Sequence, residues 1–151
     1  MKKIIRVIFT ISFILYLSVL AIFLFLGLRG HLWTNLSLLE YIKSSSNIIP
    51  FKTINTYVGA IIDGSMNIDI PIKNLFGNLI MFLPMGIYLP YYIKKTNKLG
   101  SFIFSMTLLL FFIEITQLVT RRGSFDIDDF ILNMVGAIIG FGIWNIRIIQ
   151  K

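Results

Sequence analysis

The chain has 151 residues, no cysteine, a formal net charge of +7 and 56% hydrophobic side chains, against roughly 45–50% apolar residues in soluble globular chains. Without cysteine neither a disulfide frame nor a thiolate metal site can form, and the length allows one compact helical domain, residues 1–151, rather than two. The positive charge does not point to nucleic acid, because no basic helix or soluble domain carries it; the cations flank apolar runs instead.

Lys2, Lys3 and Arg6 precede the first of these runs, and Val7 to Leu28 is 22 residues without an ionisable group. About 20 apolar residues cross a hydrocarbon core roughly 30 Å thick. A cleavable signal has a shorter apolar region, about 7–15 residues, followed by a small-residue cleavage site. LGLRGHLW offers no such site, so residues 5–28 read as an uncleaved first span.

Residues 29–72 are mixed and contain no run of span length. Ile54, Tyr57, Val58, Ile61 and Ile62 recur at helical spacing and form one apolar face. That pattern predicts a short amphipathic helix lying against the membrane or capping the bundle, ended by Asp63-Gly64. Asn35-Leu36-Ser37 matches a glycosylation triplet of a kind frequent by chance, and His31 stands alone in a loop.

The second span covers 72–93. Asn74, Gly77, Asn78, Met81, Met85 and Tyr88 share one helical face by their three- and four-residue spacing. Pro84 falls in mid-span, where it removes a backbone hydrogen bond and kinks the helix. Lys94, Lys95 and Lys98 make the next loop, and the third and fourth spans follow at 99–120 and 129–149. The expected fold is all-α, a four-helix membrane bundle with one interfacial helix in its first outer loop.

With four spans, one side carries eight cations (Lys2, Lys3, Arg6, Lys94, Lys95, Lys98, Arg147, Lys151) and no acid. The other carries six cations (Arg29, Lys43, Lys52, Lys73, Arg121, Arg122) against six acids (Glu40, Asp63, Asp69, Asp126, Asp128, Asp129). The positive-inside rule counts cations in short segments near span ends. It predicts cytoplasmic termini in a cell membrane, with the long loop and the RRGSFDIDD turn facing outward.

Polar side chains then fall at matching depth. At 1.5 Å per residue, Glu114 lies roughly 9 Å below the outer end of its helix, Asn133 roughly 6 Å and Asn78 roughly 9 Å. Glu114, Gln117 and Arg121 share one face; Asp129, Asn133, Gly136 and Gly140 share another. Gly136-x-x-x-Gly140 permits close helix approach, and Gly77, Pro84 and Gly86 are the corresponding packing positions on the second span. These faces are expected to meet, completed by Asn74 and Asn78 and covered by Arg121, Arg122, Asp126, Asp128 and Asp129. Asn and Gln in spans often only bond helices together, at about 0.6 kcal/mol on average, and surface Arg–Asp pairs often only order a turn. Glu114 differs, because an ionisable group at membrane depth is costly and marks a functional site by default.

Four segments together carry a family resemblance: NIIPFKTI at 47–54, NLFGNLIMFLPMGIYLP at 74–90, EITQ at 114–117 and RRGSFDIDDFILNMVGAIIG at 121–140. In order and spacing they resemble the VanZ-like family of small bacterial multi-pass membrane proteins. The resemblance implies association with resistance to teicoplanin and related lipoglycopeptides, without a chemical mechanism. Either Arg121 or Arg122 matches the family's arginine.

Three functions follow as expectations. The first is an envelope protein whose outward polar cluster engages a lipid-linked or lipoglycopeptide ligand. The second is an intramembrane enzyme with Glu114 or Asp129 as general base and Arg121 or Arg122 on a phosphate. General bases need a reachable substrate, and no Ser-His, Cys-His or metal-ligand set accompanies them, so no catalytic residue, metal or cofactor is assigned. The third, a transporter or proton pathway, is weakened because the polar groups gather on one side rather than along a through-path. The sequence is silent on oligomeric state.

Overall fold

The computed structural model describes residues 2–26 and 36–146. Arg29, His31 and Asn35 of the first loop, with Arg147, Lys151 and the last residues assigned to the fourth span, lie outside the described residues. Helix α1 (Lys2–Ala21) continues into a π-helical turn at Ile22–Leu26. There follow α2 (Leu38–Ser44), a two-residue strand β1 (Ser46–Asn47), α3 (Lys52–Asp63), α4 (Asp69–Met81), α5 (Leu83–Tyr92) and a 3-10 turn at Lys94–Asn97. Then come α6 (Leu99–Val119), strand β2 (Phe125–Asp126) and α7 (Ile127–Trp144). Four helical segments are long and apolar enough to cross a membrane: Lys3–Leu26, Asp69–Tyr92, Leu99–Val119 and Ile127–Trp144. These are the four spans the apolar runs predict.

Helix α7 is the most buried span and α1 the least. Phe82, Phe102 and Met106 are fully buried at the centre, and Phe102 stacks on Phe141 with ring centroids 4.5 Å apart. Helices α4 and α5 run beside α7 at backbone contact. A Cβ added to Gly136 would land on the carbonyl oxygen of Leu79, one on Gly140 on that of Leu83, and one on Gly86 on that of Ala137. Small residues let helix backbones approach in this way, and the Cα–H groups then face carbonyl oxygens. Gly77 behaves differently: an added Cβ meets nothing within 4 Å. Its assignment as a packing glycine is therefore corrected, because it faces away from α7.

The second span is broken where proline requires it. Phe82 separates α4 from α5, and Pro84 sits in the first turn of α5, where its missing N–H is harmless. The Tyr16 hydroxyl donates to the Met81 carbonyl at 3.0 Å, satisfying a backbone group at the break in the manner membrane helices need. Further along, Tyr88 donates to Ser12 at 3.0 Å and Tyr92 to Thr10 at 3.1 Å. Phe9 packs against Tyr88 and Tyr91 and Phe13 against Tyr88 and Tyr92, so aromatic contacts hold α1 to α5.

The expected amphipathic helix is α3, and Gly64, at φ +68°, closes it. Helix α2 precedes it and starts with a capping box: the Glu40 backbone N–H donates to the Ser37 hydroxyl and the Ser37 N–H donates to the Glu40 carboxylate. The Ser37 hydroxyl, and then its backbone N–H, hold the exposed Glu40 carboxyl below the usual range. Helices α2 and α3 and the α6–α7 turn all lie at the end of the bundle where α4 and α7 begin.

Candidate functional site

The site is assembled by the turn after α6. Strand β2 pairs in parallel with β1, Ser46 opposite Phe125 and Asn47 opposite Asp126, and the Phe125 N–H donates to the Ser45 carbonyl at 2.9 Å. This short ladder lays the start of α7 against the segment that leads into α3.

Asp128 is fully buried. Its carboxylate accepts the backbone N–H groups of Phe51 at 2.5 Å, Thr53 at 2.7 Å and Ile54 at 3.2 Å. The first N–H groups of a helix have no intrahelical partner, and the helix dipole favours an anion there. Asp128 thus caps α3 from a different helix. Phe51 holds a left-handed backbone at φ +64°, a conformation that costs a non-glycine residue of order 1–3 kcal/mol; its N–H is one of the three given to Asp128. Asp126 accepts from the Thr53 hydroxyl at 2.6 Å and the Asn47 side-chain amide at 3.0 Å. It also caps α7 by accepting the Asp128 N–H at 2.9 Å.

Next to this clamp lie further polar side chains. Asn78, Glu114 and Asn133, from α4, α6 and α7, are all buried. The Asn78 amide donates to the Asp129 carboxylate. A Glu114 carboxylate oxygen lies 3.5 Å from the Asp126 N–H, directly below the turn. The side-chain oxygen of Asn133 has no hydrogen-bond partner among the described residues, and a buried polar atom in that state is uncommon.

Three of the predicted site residues point elsewhere. Gln117 is buried, but its amide donates to the Leu24 carbonyl at 2.7 Å, tying α6 to the π-helical end of α1. Asn74 bonds the Ile70 carbonyl of its own helix at 3.1 Å and does not join the cluster. Arg121 adopts φ +55°, donates to the Leu36 carbonyl at 3.0 Å and lies over the Tyr41 ring, 5.6 Å from its centroid. The Tyr41 hydroxyl in turn donates to the Gly123 carbonyl at 3.0 Å, so Arg121 and Tyr41 fasten α2 to the turn. Arg122 is exposed on the same turn. For Gln117→Leu we expect a loss of about 1 kcal/mol, the range of helix-bridging amides in membranes; a lower melting temperature in detergent at unchanged membrane insertion checks it.

The arrangement separates two sets of polar groups. Asn47, Thr53, Asp126 and Asp128 satisfy one another and the backbone, and so hold the fold. Glu114, Asp129 and Asn133 form the second set, in which Asp129 accepts the Asn78 amide and Glu114 stands 3.5 Å from the Asp126 N–H. Asn47 and Thr53 were not among the expected site residues, although both belong to the 47–54 segment; their spacing alone gives no hint of partners about 75 residues away.

A family model described as VanZ/LLP1 matches residues 13–149. Protein VanZ of Enterococcus faecium is 30% identical over 119 residues, which cover 77% of this chain and 64% of that protein. The chain thus spans somewhat under two thirds of the length of that relative. No solved structure matches. With nearly its whole length matched by the family model and four helices apolar enough to span a bilayer, the chain is a membrane protein that belongs to the VanZ/LLP1 family.

Proposed function

We propose that this protein acts at the bacterial cell envelope and lowers susceptibility to teicoplanin-type lipoglycopeptides by engaging a lipid-linked or amphiphilic molecule at the outer leaflet. Both termini are cytoplasmic in this reading, with α2, α3 and the α6–α7 turn outside. The observation that carries it is the buried Glu114 next to the α6–α7 turn, with Asn78 and Asn133 of two other helices also buried and an Asn133 oxygen without a partner among the described residues. Membrane proteins do not bury such groups without cost, and the three N–H groups at the start of α3 are met by Asp128 and not by Glu114. Kinship to a protein named VanZ supports the choice of drug class.

Expression in a teicoplanin-susceptible host tests this. Wild type is expected to raise the inhibitory concentration several-fold, and Glu114→Gln, at equal membrane abundance, to return it to the level of the empty vector. Equal protection by wild type and Glu114→Gln, or none by either, contradicts the proposal.

A further inference from the structure

Among the described residues, the flank of α4 turned away from α7 is not fully covered by protein. Between it and the first span runs an apolar groove of about 500 Å³, within the roughly 300–1,000 Å³ of ligand-binding clefts. Leu20 and Phe23 form one wall, Phe76, Gly77 and Ile80 the other, and Lys73 stands at one end. On α4, residues 73, 76, 77 and 80 recur at helical spacing and share this face, whereas Asn78 and Leu79 turn to α7.

Its dimensions match one leaflet. From Ile72 to Pro84 the helix rises roughly 18 Å, against roughly 15 Å for half of a hydrocarbon core. The end near Asp69 lies at the bundle surface, and the far end reaches the break at Phe82, in mid-membrane. Among the described lining residues Lys73 is the one charged group. It sits at head-group level, mostly exposed, 3.6 Å from Asp69 in an i,i+4 pair. Such exposed pairs are weak, so the ammonium remains available to a phosphate. Tyr16, the other polar lining residue, already donates to Met81. Gly77 has open space above it, so its missing side chain serves the groove and not the helix contact.

We propose that this groove seats one acyl chain of an anionic phospholipid from the leaflet on the α2–α3 side, with the lipid phosphate at Lys73. Chain and head group are then recognised separately, by an apolar slot of leaflet length and by one cation at its mouth. The groove faces away from Asn78, so the inference stands apart from the role proposed for Glu114.

Native mass spectrometry of the full chain in detergent tests it, with palmitoyl-oleoyl phosphatidylglycerol and the matching phosphatidylcholine as probes. Wild type is expected to retain a single phosphatidylglycerol several-fold more than phosphatidylcholine. Gly77→Phe, whose ring enters the groove, is expected to lose retention of both lipids. Lys73→Gln is expected to bind both equally. Unchanged retention by Gly77→Phe, or an unchanged preference in Lys73→Gln, overturns the proposal. Should Gly77→Phe melt below wild type, Ile80→Trp on the exposed wall replaces it, with the same expected loss and the same contrary result.

Discussion

Asp128→Ala is expected to release α3 from the bundle and to cost about 3 kcal/mol or more. The carboxylate is fully buried and accepts three backbone N–H groups, and each buried donor left unsatisfied costs about 1–3 kcal/mol. The loss spreads further than one cap. Without Asp128 the left-handed Phe51 keeps, among the described contacts, only the weak turn bond from the Lys52 N–H to the Ile49 carbonyl and the bond from the Asn55 N–H to its own carbonyl, and Thr53 loses the position from which it donates to Asp126. Hydrogen exchange should show Thr53 and Ile54 losing protection while α6 and α7 keep theirs, together with a lower melting temperature. Asp128→Asn keeps one acceptor oxygen and should fall between the two. Wild-type protection of α3 in Asp128→Ala would remove the clamp from the account.

The second large effect is expected at the α4–α5–α7 contact. Gly136→Ala places a methyl group on the Leu79 carbonyl, and Gly140→Ala places one on the Leu83 carbonyl. Both obstacles are backbone, so no rotamer change relieves them and the helices must separate. Overpacking costs about 1–3 kcal/mol and occasionally more; a clash with a rigid helix backbone belongs at the upper end, about 3 kcal/mol. The core behind the contact, Phe82 and Ala137 among it, would lose its packing with the shift. Gly77→Ala is the internal control, because nothing lies within 4 Å of the added carbon; it should melt at or slightly above wild type. Thermal unfolding of the three variants in one detergent decides the matter.

The four spans were legible because length and apolarity suffice to specify them, and four helices of span length stand where the apolar runs lie. The burial of Asn78, Glu114 and Asn133 was legible too, because each is a polar residue set within an apolar helical run. Partner choice was not. Asn74 and Asn78 lie on one face by spacing, yet only Asn78 reaches Asp129, while Asn74 turns back to its own helix. Gln117 is one turn from Glu114, but its partner is a carbonyl at a π-helical end of α1, a feature no periodicity announces. The glycines divide the same way: Gly77 and Gly86 look alike as residues, and only their rotation relative to α7 separates a groove from a contact. Helix α2 did have a local signal, since Ser37 and Glu40 stand at capping-box spacing; its 7 residues carried too little periodicity to draw notice. Asp128 appeared as part of a covering turn, and its actual work depends on the parallel β1–β2 pairing, a non-local event.

Asp126 and Asp128 clamp α3, whereas in the proposed reading Glu114 is kept for function, and the melting temperature of Glu114→Gln tests that division most directly. Glutamine keeps the shape and an acceptor for the Asp126 N–H while removing an ionisable group from membrane depth. Melting at or above wild type is expected, the usual behaviour where function is kept at the expense of stability. A fall as large as that of Asp128→Asn would contradict it and place Glu114 among the structural acids.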